Sequence, residues 1–159
     1  MFDAALFEAV FPRRIRGLIV PAPIRERLAE TAEAAHPREA GGFLACERRG
    51  DRLRAVSHVD LDNEAEEPTR RYVATVDERA PARPRVFYHS HTSAASPSGL
   101  TETDRRNIPE RFALVVFAPH GEPYSYRLFR RGLLPWRELP VEAAKTDESP
   151  TRARLPRLV

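Results

Sequence analysis

Apolar residues recur at helical spacing in one early segment of the chain. They lie three or four residues apart in a stretch rich in Ala, Glu and Arg, which is typical of a helix with one apolar face. Pro37 would end such a helix, because proline cannot supply the backbone N–H that a further turn requires. The pattern predicts a helix from about Ala22 to His36. Its apolar positions are Ile24, Leu28, Ala32 and Ala35.

Shorter apolar segments elsewhere have the length and composition of strands. Gly50, between the first two of them, permits the positive φ that a tight hairpin needs. A helix combined with hairpins and a continuous apolar strand predicts an α/β (α+β) fold, with helices packed on a sheet. The predicted strands are Phe43 to Glu47, Leu53 to Leu61, Tyr72 to Thr75, Val86 to Tyr88, Phe112 to Phe117 and Tyr124 to Phe129.

The sequence changes character near Gly132. Four prolines and a polar stretch follow, so we expect no strand or helix of any length after Leu139. A chain of 159 residues with 42% hydrophobic residues can form one domain with a core and is short for two. We predict one domain over residues 1–131 and a C-terminal extension, partly flexible, over residues 132–159. The end of this extension forms a basic tail that could dock on a partner.

The charge and the cysteine content narrow the possible partners and compartments. The net charge is +3, and the arginines are interleaved with Asp and Glu, so no nucleic-acid partner is expected. No apolar run could span a bilayer, and Met1 to Arg16 lacks the order of a signal peptide. Cys46 is the single cysteine, which excludes an intramolecular disulfide framework. We expect a cytoplasmic protein without a membrane partner.

A His-X-His motif follows a strand-like segment. Residues i and i+2 of a strand project to the same face, so His89 and His91 can approach one ion while Ser90 points away. Asp104 follows in a segment where Thr101 has the features of a helix N-cap. Three protein ligands would leave a position open for water, as catalytic zinc sites do. The alternative is that the histidines lie on an exposed strand face and that Asp104 is only a helix cap.

The types of ligand restrict the metal and the class of site. His and Asp suit Zn²⁺, with ligand bonds of about 2.0–2.2 Å, although Mn²⁺ and Fe²⁺ accept the same ligands. The single cysteine excludes a Cys-rich structural zinc site. No HExxH pentapeptide occurs, and the chain is too short for the β/α barrel of an amidohydrolase.

Two motifs together resemble those of the JAMM (MPN-domain) metalloisopeptidase family. The downstream motif of that family is His-X-His, a linker and Ser-X-X-Asp, and residues 88–104 are similar to it. The upstream motif is Pro-X-Glu-X-X-Gly-X-Leu, to which the segment from Pro37 to Leu44 is similar. The resemblance extends from about Gly17 to about Arg130. It implies a cytidine-deaminase-like three-layer sandwich, in which helices flank a central mixed sheet.

The resemblance also implies a role for each residue of the site. His89, His91 and Asp104 would hold Zn²⁺, with water in the fourth position. Glu39 would be the general base, and the hydroxyl of Thr101 would stabilise the oxyanion. The reaction would be cleavage of an amide bond at the C-terminal tail of a ubiquitin-like or sulfur-carrier protein. The alternative from another class is a non-catalytic MPN-like scaffold that keeps the fold.

The linker of this chain departs from the family pattern. At the usual spacing the carboxylate would be Glu102, and the hydroxyl position would be Gly99. A linker two residues longer supplies Asp104 and Thr101, which preserves both chemical roles at a capped helix start. Ser98 is a rival for the hydroxyl. We predict that the longer linker is used.

Overall fold

The polypeptide forms a mixed sheet with two helices in the part of the chain that is described. The computed structural model describes residues 14–120, 123–132 and 135–144. Within these ranges the helices are α1 (Ala22–Ala35) and α2 (Glu102–Asn107). The strands are β1 (Gly17–Pro21), β2 (Gly41–Arg49), β3 (Arg52–Leu61), β4 (Arg85–His91), β5 (Phe112–Phe117), β6 (Ser125–Arg130), β7 (Arg137–Leu139) and β8 (Val141–Ala144).

The strands form one sheet in the order β7-β6-β5-β4-β2-β3-β1-β8. Strand β1 runs parallel to β3 and β8, and β4 runs parallel to β5, whereas the other neighbouring pairs are antiparallel. Pro140 alone separates β7 from β8, although these two strands are at opposite ends of the order. The sheet therefore curls until its two ends approach each other, and β6 and β8 come into contact.

The two faces of the sheet carry separate apolar cores. On one face α1 packs against β1 and β3, and its Ile24 and Leu28 join a buried cluster that includes Leu114 of β5. On the other face Ala113 and Val115 of β5 pack with apolar residues that flank α2. Removal of these side chains from water stabilises the layered arrangement. A mixed sheet with a helix on each face confirms the predicted α/β sandwich.

Most of the predicted elements are present. Helix α1 ends one residue before the predicted bound, because His36 already has an extended backbone. Strands β2 to β6 occupy the predicted apolar segments. In the turn between β2 and β3, Gly50 has a φ of +61°, as the predicted hairpin requires. Neither helix in the described part of the chain has the length and apolar character needed to cross a membrane.

The predicted strand over Tyr72 to Thr75 is wrong. The described residues between β3 and β4 form turns and irregular backbone without a strand. The side chain of Asn63 accepts the N–H of Val73 at 3.2 Å, and so replaces the backbone partner that a ladder would supply. Tyr72 instead packs over Gly41, where a Cβ atom would lie 2.5 Å from the tyrosine ring.

The expectation of no strand after Leu139 is also wrong. Strand β8 follows Pro140 directly and pairs in parallel with β1. Proline is compatible with this position because it precedes the strand, and its carbonyl oxygen still accepts the N–H of Leu18 at 3.1 Å. The domain boundary between residues 131 and 132 stays a prediction. The basic tail lies outside the described residues.

Gly42 and Gly50 form a matched pair for a test of backbone strain. Gly42 has a φ of +155°, and a Cβ atom there would lie far inside contact distance of the Val59 carbonyl oxygen, whereas nothing lies within 4 Å of a Cβ atom at Gly50. We expect Gly42→Ala to lower the free energy of unfolding by more than about 2 kcal/mol, and Gly50→Asn to change it by less than about 1 kcal/mol. Urea unfolding measures both values, and equal losses would contradict this account.

Candidate metal centre

Strand β4 carries two buried histidines at its C-terminal end. His89 and His91 are each 2% exposed. They alternate along the strand with Phe87, which packs into the core on the α2 side of the sheet, so both imidazoles project to that side. Because β4 lies between β2 and β5, its backbone is paired on both edges. The sheet therefore fixes the two histidines on one face, as the sequence predicts.

Asp104 reaches the histidines from the first turn of α2. Thr101 is the N-cap of this helix, since its Oγ1 accepts the N–H of Asp104 at 3.1 Å. The carboxylate of Asp104 in turn accepts the N–H of Thr101 at 2.9 Å. This reciprocal capping box fixes both the start of the helix and the direction of the carboxylate. The predicted helix cap at Thr101 is confirmed.

The possible metal ligands of the three residues lie close together. The Nε2 atoms of His89 and His91 are 3.0 Å apart, and they lie 3.3 Å and 3.2 Å from the carboxylate oxygens of Asp104. Ligand atoms bound to zinc at about 2.0–2.1 Å with tetrahedral angles lie about 3.3 Å from one another. Here each imidazole nitrogen faces a different oxygen of the Asp104 carboxylate, and one possible ligand atom from each residue lies within 4.8 Å of the others, so the group could hold a metal ion.

Hydrogen bonding fixes the tautomer of one histidine. The Nδ1 atom of His91 lies 2.8 Å from the carbonyl oxygen of Pro97. A carbonyl oxygen can only accept, so Nδ1 carries a proton, and in the neutral ring Nε2 keeps its lone pair for a metal. The Nδ1 atom of His89 is buried and has no hydrogen-bond partner among the described residues. Stacking holds this ring instead, with Phe87 at 5.6 Å and Tyr72 at 6.5 Å between ring centroids.

Glu39 lies across from His91, just before β2. The neighbouring residues Ala40 and Ser90 are joined by two hydrogen bonds of 2.8 Å, one between their backbones and one to the Ser90 hydroxyl. Because β2 and β4 are antiparallel, this pairing places Glu39, which precedes Ala40, opposite His91, which follows Ser90. The side chain of Glu39 is buried, with 4% exposure. A buried carboxyl group beside a group of residues that could hold a metal is suited to proton transfer.

The charges of the site influence one another. Burial raises the pKa of Glu39 to about 7, while the nearby His91 opposes this rise and Asp104 adds to it. Burial also disfavours ionisation of Asp104, but hydrogen bonds from His89 and His91 outweigh this effect and hold the pKa of Asp104 well below its usual range. The site thus contains one firmly ionised carboxylate and a second carboxyl group, Glu39, that exchanges its proton near neutral pH.

Sequence reasoning missed three polar residues that position the Glu39 segment. The Nδ2 atom of Asn63 donates to the Glu39 carbonyl oxygen at 2.9 Å. The Ser90 hydroxyl accepts the N–H of the residue after Glu39, and the Thr92 hydroxyl donates to the carbonyl oxygen of Pro37 at 2.8 Å. Ser90 and Thr92 could have been suspected because they flank His91. Asn63 is distant from every motif in the sequence and carried no such signal.

The irregular linker left open which carboxylate and which hydroxyl belong to the site, and the fold distinguishes the candidates. The carboxylate of Glu102 is exposed and pairs with an arginine of its own helix, outside the group formed with the histidines. The Ser98 hydroxyl accepts a hydrogen bond from Arg127 at 3.0 Å. The Thr101 hydroxyl accepts the helix N–H, and its own hydrogen is still available for donation. Asp104 is therefore the carboxylate that the fold brings to the two histidines.

Metal affinity at this site should depend on pH through His91. Burial alone would lower the pKa of His91, but the bonds to Asp104 and Pro97 outweigh it and raise this pKa above the ordinary value of about 6.5. The neutral ring is the ligand, so affinity should fall as the pH decreases through the raised pKa, by up to about tenfold per pH unit. Competition with a chelating dye measures this between about pH 8 and about pH 5.5. A constant affinity over that range would contradict the assignment of His91 as a ligand.

Comparison with known proteins identifies the family and the fold of the chain. Residues 21–132 match the Prok-JAB family model, which describes prokaryotic homologs of the JAB domain. No curated protein matches the chain at a significant level. Two solved structures are similar in fold, the solution structures of protein DSY2949 from Desulfitobacterium hafniense and of a protein from Salinibacter ruber strain DSM 13855.

Both structures are alike in fold more than in sequence. The Desulfitobacterium protein is 17% identical, with a TM-score of 0.62, and the match covers 82% of this chain and 95% of that one. The Salinibacter protein is 18% identical, with a TM-score of 0.54, and the match covers 82% of this chain and 92% of that one. The family model, in contrast, matches the sequence itself over most of its length, in a range that contains both histidines and Asp104. The chain belongs to the Prok-JAB family, the prokaryotic homologs of the JAB domain.

Proposed function

We propose that this chain is a zinc-dependent peptidase that hydrolyses an amide bond at the C-terminal tail of a ubiquitin-like or sulfur-carrier protein. The observation that carries the proposal is the close grouping of two imidazole nitrogens and a carboxylate, with possible ligand atoms within 4.8 Å of one another, beside a buried glutamate. His89, His91 and Asp104 would hold the metal, and Glu39 lies across from His91. A scaffold domain would have no need for either feature.

The donor set supports zinc as the metal. Two neutral imidazoles and one carboxylate form a ligand set that suits Zn²⁺, and three protein ligands leave one coordination position open. When bound, such an ion supplies Lewis-acid activation of water and of the scissile carbonyl group. The Pro97 carbonyl oxygen orients His91 for this role, because metal-binding histidines usually donate their other N–H to such a group.

Glu39 carries the proton in this proposal. Its carboxylate accepts a proton from the attacking water and then donates it to the amine that leaves. A pKa of about 7 suits both steps, since the group must gain and lose a proton at neutral pH. The burial that raises this pKa also keeps bulk water away from the carboxylate. Asn63 and Ser90 hold the backbone on either side of it.

The Thr101 hydroxyl is the proposed donor to the oxyanion. It already accepts a hydrogen bond from the start of α2, which fixes the oxygen and leaves its hydrogen to be directed at the substrate. A correctly placed donor of this kind is worth about 10²- to 10³-fold in rate. Ser98 is the alternative donor, although its oxygen already accepts a hydrogen bond from Arg127.

The burial of the site supports a narrow, extended substrate. Because His89 and His91 are each 2% exposed, only a chain of small residues can approach them, and a Gly-Gly tail meets this requirement. Val73 and Val76, which are 51% and 50% exposed, lie on the segment whose Tyr72 stacks on His89. These valines offer an apolar contact for the folded part of a carrier protein.

The direct test is cleavage of carrier proteins that bear a short extension after Gly-Gly. We expect the zinc-loaded protein to release the extension, as measured by mass spectrometry, and treatment with a chelator to stop the reaction. Matched carriers with Ala-Ala in place of Gly-Gly before the same extension should react more slowly, because the added methyl groups obstruct the approach of the tail to the buried site. Bound zinc without cleavage of any carrier would favour the scaffold. Equal cleavage of unrelated short peptides would point to another amide substrate.

A further inference from the structure

An arginine-lined cavity of about 550 Å³ lies at the opposite end of β4 and β5 from the histidines. Arg85 begins β4 and His91 ends it, so about 20 Å of strand separates the cavity from the metal-binding group. Four separate segments of chain contribute to its lining, namely those before β1, β4 and β5 and the β2–β3 hairpin. The lining residues are Arg14, Ile15, Arg48, Leu53, Arg83, Pro84, Arg85, Glu110, Arg111 and Phe112.

The cavity has an excess of positive charge. Five arginines face one glutamate, and Glu110 is engaged by Arg85 through contacts of 2.6 Å and 3.3 Å. Arg14, Arg83 and Arg111 form no ion pair with any carboxylate in the described part of the chain. The arginines are scattered along the sequence, and the fold gathers them around one cavity. Bringing like charges together is unfavourable unless an anion accompanies them.

Arg130, a buried arginine near the cavity, lies in the same concentration of positive charge. Arg130 is 4% exposed, and its Nη1 atom donates to the Ile15 carbonyl oxygen at 3.2 Å. Burial lowers the pKa of Arg130, and the positive charges of Arg14, Arg111 and Arg137 lower it further. The local field at this end of the sheet is therefore positive, and it would attract an anion.

We infer that this cavity binds a small organic oligophosphate, with its phosphates held by Arg83 and Arg111 and its organic part resting on Ile15 and Phe112. Guanidinium groups bind phosphate through paired N–H donors, and several of them together favour a group with more than one negative charge. A volume of about 550 Å³ is larger than inorganic phosphate needs and is ordinary for a small-molecule pocket. The apolar side chains give the organic part a surface that phosphate alone would not use. The site is independent of the proposed peptidase activity.

Titration calorimetry of the full chain with ADP, pyrophosphate and adenosine tests this inference. A chelator is present throughout, so that phosphate cannot coordinate a metal at the histidines. We expect saturable binding of ADP that weakens as salt is added, weaker binding of pyrophosphate, and none of adenosine. Arg83→Ala and Arg111→Ala should each weaken ADP binding by about tenfold or more. Both side chains are exposed, so neither variant should impair folding.

Arg27→Ala is the matched control, because Arg27 is an exposed arginine of α1 outside the cavity and alanine preserves the helix. Its affinity for ADP should equal that of the parent, and thermal unfolding should show all three variants folded. No binding of ADP, or equal loss in Arg27→Ala, would overturn the inference. Pyrophosphate binding as tight as that of ADP would overturn the role given to the apolar residues. A much higher affinity for a single-stranded oligonucleotide would replace the small molecule with a nucleic acid.

Discussion

Asp104→Ala should abolish stoichiometric metal binding, while Glu102→Ala should retain it. The two carboxylate oxygens of Asp104 lie 3.3 Å and 3.2 Å from the Nε2 atoms of His89 and His91, and the two imidazoles cannot reproduce the charge of this carboxylate. Loss of a partner that only supports a ligand already costs about 10- to 100-fold in affinity, so loss of the ligand itself should cost more than about 100-fold. Elemental analysis of the purified variants, followed by zinc titration, measures the effect.

Comparison with Glu102→Ala tests which of the two linker spacings supplies the carboxylate. Glu102 and Asp104 lie in the same turn of α2, but Glu102 is exposed and pairs within its own helix. Asp104→Ala also removes half of the capping box, so circular dichroism and thermal unfolding must show that the sheet is intact. Loss of metal in Glu102→Ala with retention in Asp104→Ala would reverse the assignment. A parent protein that binds no added zinc would remove the basis for a peptidase.

Glu39→Gln should leave metal binding intact and lower kcat/KM by about 10²- to 10⁴-fold, the range expected for loss of a general acid–base group. Glutamine has nearly the same shape, and the backbone hydrogen bonds that hold this segment do not involve the carboxylate. The substitution therefore removes proton transfer without removing a donor of the metal group. Parallel measurement of zinc content and of carrier cleavage separates the two effects.

Glu66→Gln is a suitable control for this experiment. Glu66 is an exposed glutamate between β3 and β4, so its replacement makes the same chemical change away from the buried site. It should cleave the carrier at the parental rate. If Glu39→Gln also retained the parental rate, proton transfer would have to be assigned to another group. Loss of zinc in Glu39→Gln would instead make Glu39 part of the metal-binding group.

Local sequence rules were sufficient for the features that depend on neighbours along the chain. The two-residue spacing of His89 and His91 fixes their common face in any strand. The Thr101 cap and the carboxylate three residues later form a capping box that depends only on one helical turn. Helix α1 follows from the spacing of its apolar residues. These rules only suggest Asp104 as a third ligand, because its approach to the histidines is a contact between separate elements, and the resemblance to the family motif strengthens the suggestion.

Features that depend on distant contacts could not be predicted in this way. The segment from Tyr72 to Thr75 has the composition of a strand. The Asn63 side chain, however, accepts the backbone N–H of Val73, and the Tyr72 ring packs on Gly41. The Asn63 contact to the Glu39 backbone joins positions far apart in sequence, and no local pattern marks it. Strand β8 has no strong strand signal and forms because β1 offers a partner. In each case tertiary pairing outweighs local propensity.

The short link at Pro140 has a consequence for how much of the chain must be present to obtain a stable sheet. Strands β7 and β8 are the outermost strands at the two ends of the sheet order, so one short C-terminal segment covers both β6 and β1. A fragment ending at residue 131 would uncover two rows of backbone donors and acceptors at once. Uncovered strands of this kind pair with other chains. Such a fragment should therefore aggregate, even though it retains every residue of the candidate metal centre.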